Sequence, residues 1–66
     1  MPSTVIKRID YRAEESRLTV TFTSGKVYRY DEVPADVHDA FRTASSKGSY
    51  FNRCIRDCYR ATRLRE

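Results

Sequence analysis

Apolar residues in the first half of the chain recur at every second position. Leu18-Thr19-Val20-Thr21-Phe22-Thr23 alternates without a break, which predicts a half-buried strand with Leu18, Val20 and Phe22 inward and the three threonines outward. Upstream, Val5, Ile6, Ile9 and Tyr11 are β-formers in an otherwise charged stretch, and the polar run Ala13-Glu14-Glu15-Ser16 separates the two segments. A sheet with so polar an outer side is covered on one face only, as antiparallel sheets commonly are. Ser24-Gly25 then turns the chain onto Val27-Tyr28-Arg29-Tyr30, and loop length decides where the tyrosines point. A two-residue loop opposes Phe22 to Val27 and sends Tyr28 and Tyr30 outward. A loop of Thr23, Ser24 and a left-handed Gly25 opposes Val20 to Tyr28 and Leu18 to Tyr30. The second register is expected here, because it groups both rings with the apolar set and leaves Arg29 on the wet face.

The period changes at Val33-Pro34. Proline disfavours a helical residue before it and suits the first helical position. Asp36 falls in the first turn, where the helix dipole favours negative charge. Val37, Ala40, Phe41 and Ala44 recur at helical spacing and predict one apolar face. Ser45-Ser46-Lys47-Gly48 ends this helix, with Gly48 free to take positive φ and Ser49 placed to cap a second helix. At roughly 100° per residue, Phe51, Cys54, Ile55, Cys58 and Tyr59 share one arc of that helix, and Arg53, Arg56, Arg60 and Arg63 gather nearly opposite. Ala61 to Glu66 reads as a polar tail that either extends the helix or adds a short strand. The expected architecture is α+β: a three-stranded antiparallel meander followed by two α-helices packed on one face of the sheet.

At 66 residues the chain makes one domain, residues 1–66, and buries only about 60% of its unfolded surface. Five tyrosines and three phenylalanines within a 39% apolar composition supply one core, and domains of this size often gain stability from a partner or a second copy, so a homodimer is among the partners considered. No stretch approaches the roughly 20 apolar residues of a membrane span, and Met1 is followed by polar and charged residues without a signal-like run; a cytoplasmic, membrane-free protein is expected. Charge changes the picture more. Residues 1–39 carry six Lys/Arg against seven Asp/Glu, whereas residues 40–66 carry seven against two. The positive excess at the C-terminal end would steer an anionic partner, although arginines also serve simple solubility.

Candidate chemistry is sparse. Cys54 and Cys58, four apart with His38 as the one histidine, are too few ligands for a closed zinc site; they read as buried core thiols in a reducing compartment, with no metal and no cofactor. His38 beside Asp39 resembles a fragment of an acid-base site, but adjacent helical residues do not share a face, so it reads as an exposed helix histidine. Tyr28 and Tyr30 suit base stacking in principle, yet the expected register makes them core rings. The segment Ser46 to Asn52 has two compatible readings: a helix-opening loop whose N–H groups and Lys47 hold a phosphate, or a helix-helix turn with local caps.

In order, Leu18-x-Val20-x-Phe22, Gly25, Tyr28-Arg29-Tyr30, Val33-Pro34, Ser46-Lys47-Gly48-Ser49-Tyr50-Phe51-Asn52 and Ile55-Arg56 resemble the KTSC domain, a module found at the C-terminus of some lysyl-tRNA synthetases and as small stand-alone bacterial proteins. The resemblance covers about residues 4–60. Arg60 departs from it, standing where many relatives have a proline, which leaves the helix end and the tail open. The family brings no established activity and no catalytic residues; its occurrence on a tRNA-handling enzyme implies RNA binding. The expectation is therefore a non-enzymatic binding module for tRNA or single-stranded RNA, with DNA not excluded. Its contacts are expected from Lys47, Gly48, Asn52, Arg53, Arg56, Arg60 and Arg63, with aromatic contacts from Tyr28, Tyr30 and Tyr50. The alternative is a protein-interaction or self-association module using a sheet edge or the open face around Thr19, Thr21, Val27 and Arg29.

Overall fold

The computed structural model describes residues 6–65, so the readings at Val5 and Glu66 lie outside the described residues. In chain order the elements are β1 (Ile6–Arg12), β2 (Arg17–Phe22), β3 (Val27–Tyr30), α1 (Ala35–Arg42), α2 (Lys47–Tyr50) and β4 (Ala61–Arg65), with α2 continuing as π-helical turns over Phe51–Ile55. The α+β class is as expected, but the antiparallel sheet has four strands in the order β1-β2-β3-β4 rather than three. Without β4, β3 would be an edge with a bare row of N–H and C=O groups. The residues beyond the helices pair with it, Ala61 opposite Tyr30 and Arg63 opposite Tyr28, and the Asp31 N–H donates to the Arg60 carbonyl at 3.0 Å.

The hairpin register is the expected one, with Val20 opposite Tyr28 and Leu18 opposite Tyr30. Phe22 N–H donates to the Lys26 carbonyl at 2.8 Å and Gly25 N–H to the Phe22 carbonyl at 2.9 Å. Gly25 adopts φ 99°, a conformation that a side chain strongly disfavours. The inward rows are then Ile9-Val20-Tyr28 and Tyr11-Leu18-Tyr30. The helices cover this face, and Leu18, Val20, Tyr30, Val33, Phe41, Phe51 and Ile55 form one buried core.

Val33 is the pivot between sheet and helices. Its N–H donates to the Ser16 carbonyl at 2.8 Å, and its own carbonyl accepts the Tyr11 hydroxyl at 2.7 Å. Pro34, extended at φ −65° and ψ 154°, stands just outside α1, whose Val37 and His38 N–H groups reach the Pro34 carbonyl. Val37 and Phe41 face the core as expected, but Ala40 is exposed and the inward face rotates toward His38. Far from being an exposed histidine, His38 is half-buried with its ring stacked on Tyr11, centroids 4.5 Å apart and planes 12° from parallel.

The second helix departs furthest from expectation. Ser46, not Ser49, is the cap: its Oγ accepts the Ser49 N–H at 3.3 Å. Gly48 is buried inside α2 instead of ending α1 at positive φ. After Tyr50 the turns widen, and Arg56 N–H donates to the Phe51 carbonyl at 2.8 Å, the spacing of a π-helix. A wider turn invalidates any 100° extrapolation beyond Phe51. Phe51 and Ile55 remain buried, Cys54 and Tyr59 are half-buried, and Cys58 is exposed in the turn that follows. Cys58 is therefore not the core thiol expected.

Candidate functional site

The inward tyrosines, the hairpin tip and the π-helical turns together enclose a groove of about 410 Å³. The sheet contributes Phe22, Tyr28 and Tyr30, the hairpin tip Thr23, Ser24 and Lys26, and the helix Phe51, Asn52 and Arg56. Asn52 and Arg56, four apart across the π-helical turns, both line the groove together with Lys26 of the hairpin tip. All three are exposed.

The floor is an aromatic cluster. Phe51 meets Phe22 and Tyr30 edge-on, at 5.3 Å and 5.6 Å between centroids, while Tyr28 lies 5.8 Å from Phe22 and 6.5 Å from Tyr30. Tyr30 and Phe51 are buried; Phe22 and Tyr28 are half-buried and present surface to the groove. Burial pushes the Tyr30 phenol up to about 12, Tyr28 adds to the rise and Arg56 opposes it, so near neutral pH the hydroxyl is a neutral donor. β4 sets Arg63 opposite Tyr28 on the same sheet face. Flat rings, two exposed cations and an amide fit a planar, hydrogen-bonding group that carries negative charge.

This geometry divides the expected site residues. Tyr28, Tyr30, Asn52 and Arg56 converge on the groove, and Arg63 flanks it from β4 instead of extending the helix. Arg53 instead faces a hollow of about 460 Å³ with Ser46, Ser49 and Tyr50, and Arg60 one of about 490 Å³ with Asp31, Glu32 and Cys58. The continuous basic arc thus does not form, because the π-helical turns redirect Arg53 and the helix ends before Arg60. Tyr50 is a packing ring, stacked on Phe41 at 5.7 Å, and burial raises its phenol. Gly48 is buried and Lys47 half-buried within α2, so the phosphate loop loses its open glycine. Phe22, Lys26 and Phe51 belong to the groove and were not singled out from sequence as site residues. The inward row that Phe22 shares with Val20 and the tip position of Lys26 were the available signals.

The outer sheet face is occupied by ion pairs. Asp31 Oδ1 lies 3.4 Å from Arg29 Nε and 3.5 Å from Arg17 Nε, and Arg8 meets Asp10 at 3.2 Å. Thr19, Thr21, Val27 and Arg29 are half-buried there. No helix among the described residues is long and apolar enough to cross a membrane.

Comparison with known proteins gives a consistent picture. The family model of the KTSC domain matches residues 2–59. A lysine–tRNA ligase of Nostoc punctiforme is 38% identical over 60 residues, covering 91% of this chain and 11% of the ligase. The chain thus spans about a tenth of the length of that relative. A small protein of Stutzerimonas stutzeri is 36% identical over 56 residues, covering 85% of this chain and 79% of its own. The crystal structure of a KTSC domain protein from Yersinia pestis superposes with a TM-score of 0.88 at 29% identity, over 97% of this chain and 90% of the other.

Proposed function

The chain belongs to the KTSC domain family, and on that premise we propose that it is a binding module for single-stranded RNA, with bases meeting the aromatic groove and phosphates meeting its cations. The observation that carries this reading is the half-buried Tyr28 lining one groove with Lys26 and Arg56. Exposed aromatic faces stack on unpaired bases without regard to sequence, and flanking cations take the phosphates. A net charge of +4 favours the encounter with a polyanion. The ligase relatives carry a segment similar to this chain within proteins named for action on tRNA, which agrees with an RNA partner.

The test is a fluorescence-anisotropy titration of labelled single-stranded RNA, with single-stranded DNA in parallel because phosphate contacts barely distinguish the two. Wild-type protein binds, and the Lys26→Gln, Arg56→Gln pair binds markedly more weakly at the same salt. Wild-type protein that leaves both strands free at low salt refutes the proposal. A second reading, self-association along the sheet edge, rests on Leu64, which is 50% exposed on β4; a concentration-dependent mass in sedimentation would favour it.

A further inference from the structure

We infer that the groove holds one unstacked nucleotide, its base on the face of Tyr28 and its phosphate between Lys26 and Arg56; this rests on the RNA-binding reading above. A platform that carries a run of bases needs successive open rings. Here four rings line the groove, but Tyr30 is 3% exposed and Phe51 7%, and Phe51 spends its edge on Phe22 and Tyr30. Only Phe22 and Tyr28 keep open surface, and they touch each other, 5.8 Å between centroids and tilted by 34°. Stacking distance on both sides of an inserted base would need roughly 7 Å between near-parallel rings, twice the usual contact of about 3.5 Å. The base therefore lies over Tyr28 and not between two rings.

Size and charge agree with a single occupant. A hollow of about 410 Å³ is near the lower end of the roughly 300–1,000 Å³ that hold small ligands. The two exposed cations line the same groove, which suits a single phosphate held by both. Beside them Arg63 flanks Tyr28 from β4, whereas Arg53 and Arg60 line other hollows. Asn52, with one amide donor pair and one acceptor, is placed beside the base edge on the helical wall.

The experiment is a heteronuclear NMR titration of the full chain with adenosine 5′-monophosphate, uridine 5′-monophosphate, and a trimer and a nonamer of uridine. Expected is movement of the Lys26, Tyr28, Asn52 and Arg56 amides by monophosphate and nonamer alike, with dissociation constants within about tenfold after correction for the number of positions, since each further stacked base would add roughly five- to 150-fold. Tyr28→Leu, which keeps an apolar side chain in the core row, weakens uridine 5′-monophosphate by about fivefold or more, and Tyr28→Phe retains binding within about twofold. A nonamer that binds through the groove while the monophosphates leave it unmoved overturns the single-nucleotide inference and spares the RNA reading. A nonamer that also moves Arg53 and Arg60 and gains about a hundredfold overturns it as well. If no ligand moves the groove, both fall.

Discussion

Replacing Gly25 by alanine should weaken the fold by about 1 kcal/mol, and the structure says where that cost comes from. A Cβ built at Gly25 meets nothing within 4 Å, so crowding contributes nothing and only the backbone conformation at φ 99° is penalised. A side chain forced to positive φ costs about 1–2 kcal/mol, and the stiffer unfolded chain returns roughly 0.4–1 kcal/mol. A domain of 66 residues has a total stability of only about 3–10 kcal/mol, so the change is measurable as a fall of roughly 4–8 °C in Tm. Urea denaturation should move its midpoint with an unchanged slope, because the surface exposed on unfolding stays the same. Asparagine, which tolerates left-handed backbone better, should cost less than alanine. The consequence reaches function, since this turn sets the register that points Tyr28 and Tyr30 into the groove, and a slip by one residue would turn both outward. An alanine variant as stable as wild type would refute this account of the hairpin.

Two further outcomes follow from particular side chains. The Tyr30 phenol is raised in the folded state from its ordinary value near 10 to about 12, so its neutral form stabilises the fold fully below pH 10 and that contribution is lost as pH rises through 12. Tyr30→Phe should therefore flatten the alkaline limb of a pH-stability profile between those values, and an unchanged limb would contradict the assignment. Cys58 is exposed and Cys54 half-buried, so a thiol reagent under native conditions should label Cys58 first, and Cys58→Ser should alter stability by no more than about 0.5 kcal/mol; slower labelling of Cys58 than of Cys54 would contradict the placement.

The hairpin was legible because one glycine decides between two registers, and each register assigns the tyrosines to a different face. Val33-Pro34 likewise marks the start of α1 by sterics that act within two residues. The second helix was less legible. A π-helical turn depends on which carbonyl each N–H reaches, and Phe51–Ile55 carries no residue that announces it; Cys58 is exposed and the arginines line different hollows for that reason. β4 was one of two open readings of the tail, for a different reason. Edge strands are commonly charged, which discourages pairing with other chains, and Ala61-Thr62-Arg63-Leu64-Arg65 is hard to tell from a polar tail. The groove combines residues distant in sequence, Phe22 and Lys26 with Asn52 and Arg56, so its parts were visible singly and its assembly was not.

The most direct measurement is the salt dependence of single-stranded RNA affinity in two double variants. Lys26→Gln with Arg56→Gln removes the cations of the groove, and Arg53→Gln with Arg60→Gln removes the same charge from the other hollows. All four side chains are exposed, so both variants should fold. Each phosphate neutralised contributes about 0.7 to the log-log slope for a single strand. The account predicts a slope flattened by roughly 0.7 in the groove variant and nearly unchanged in the other; equal flattening in both, or the larger loss from Arg53 and Arg60, would contradict the groove as the site.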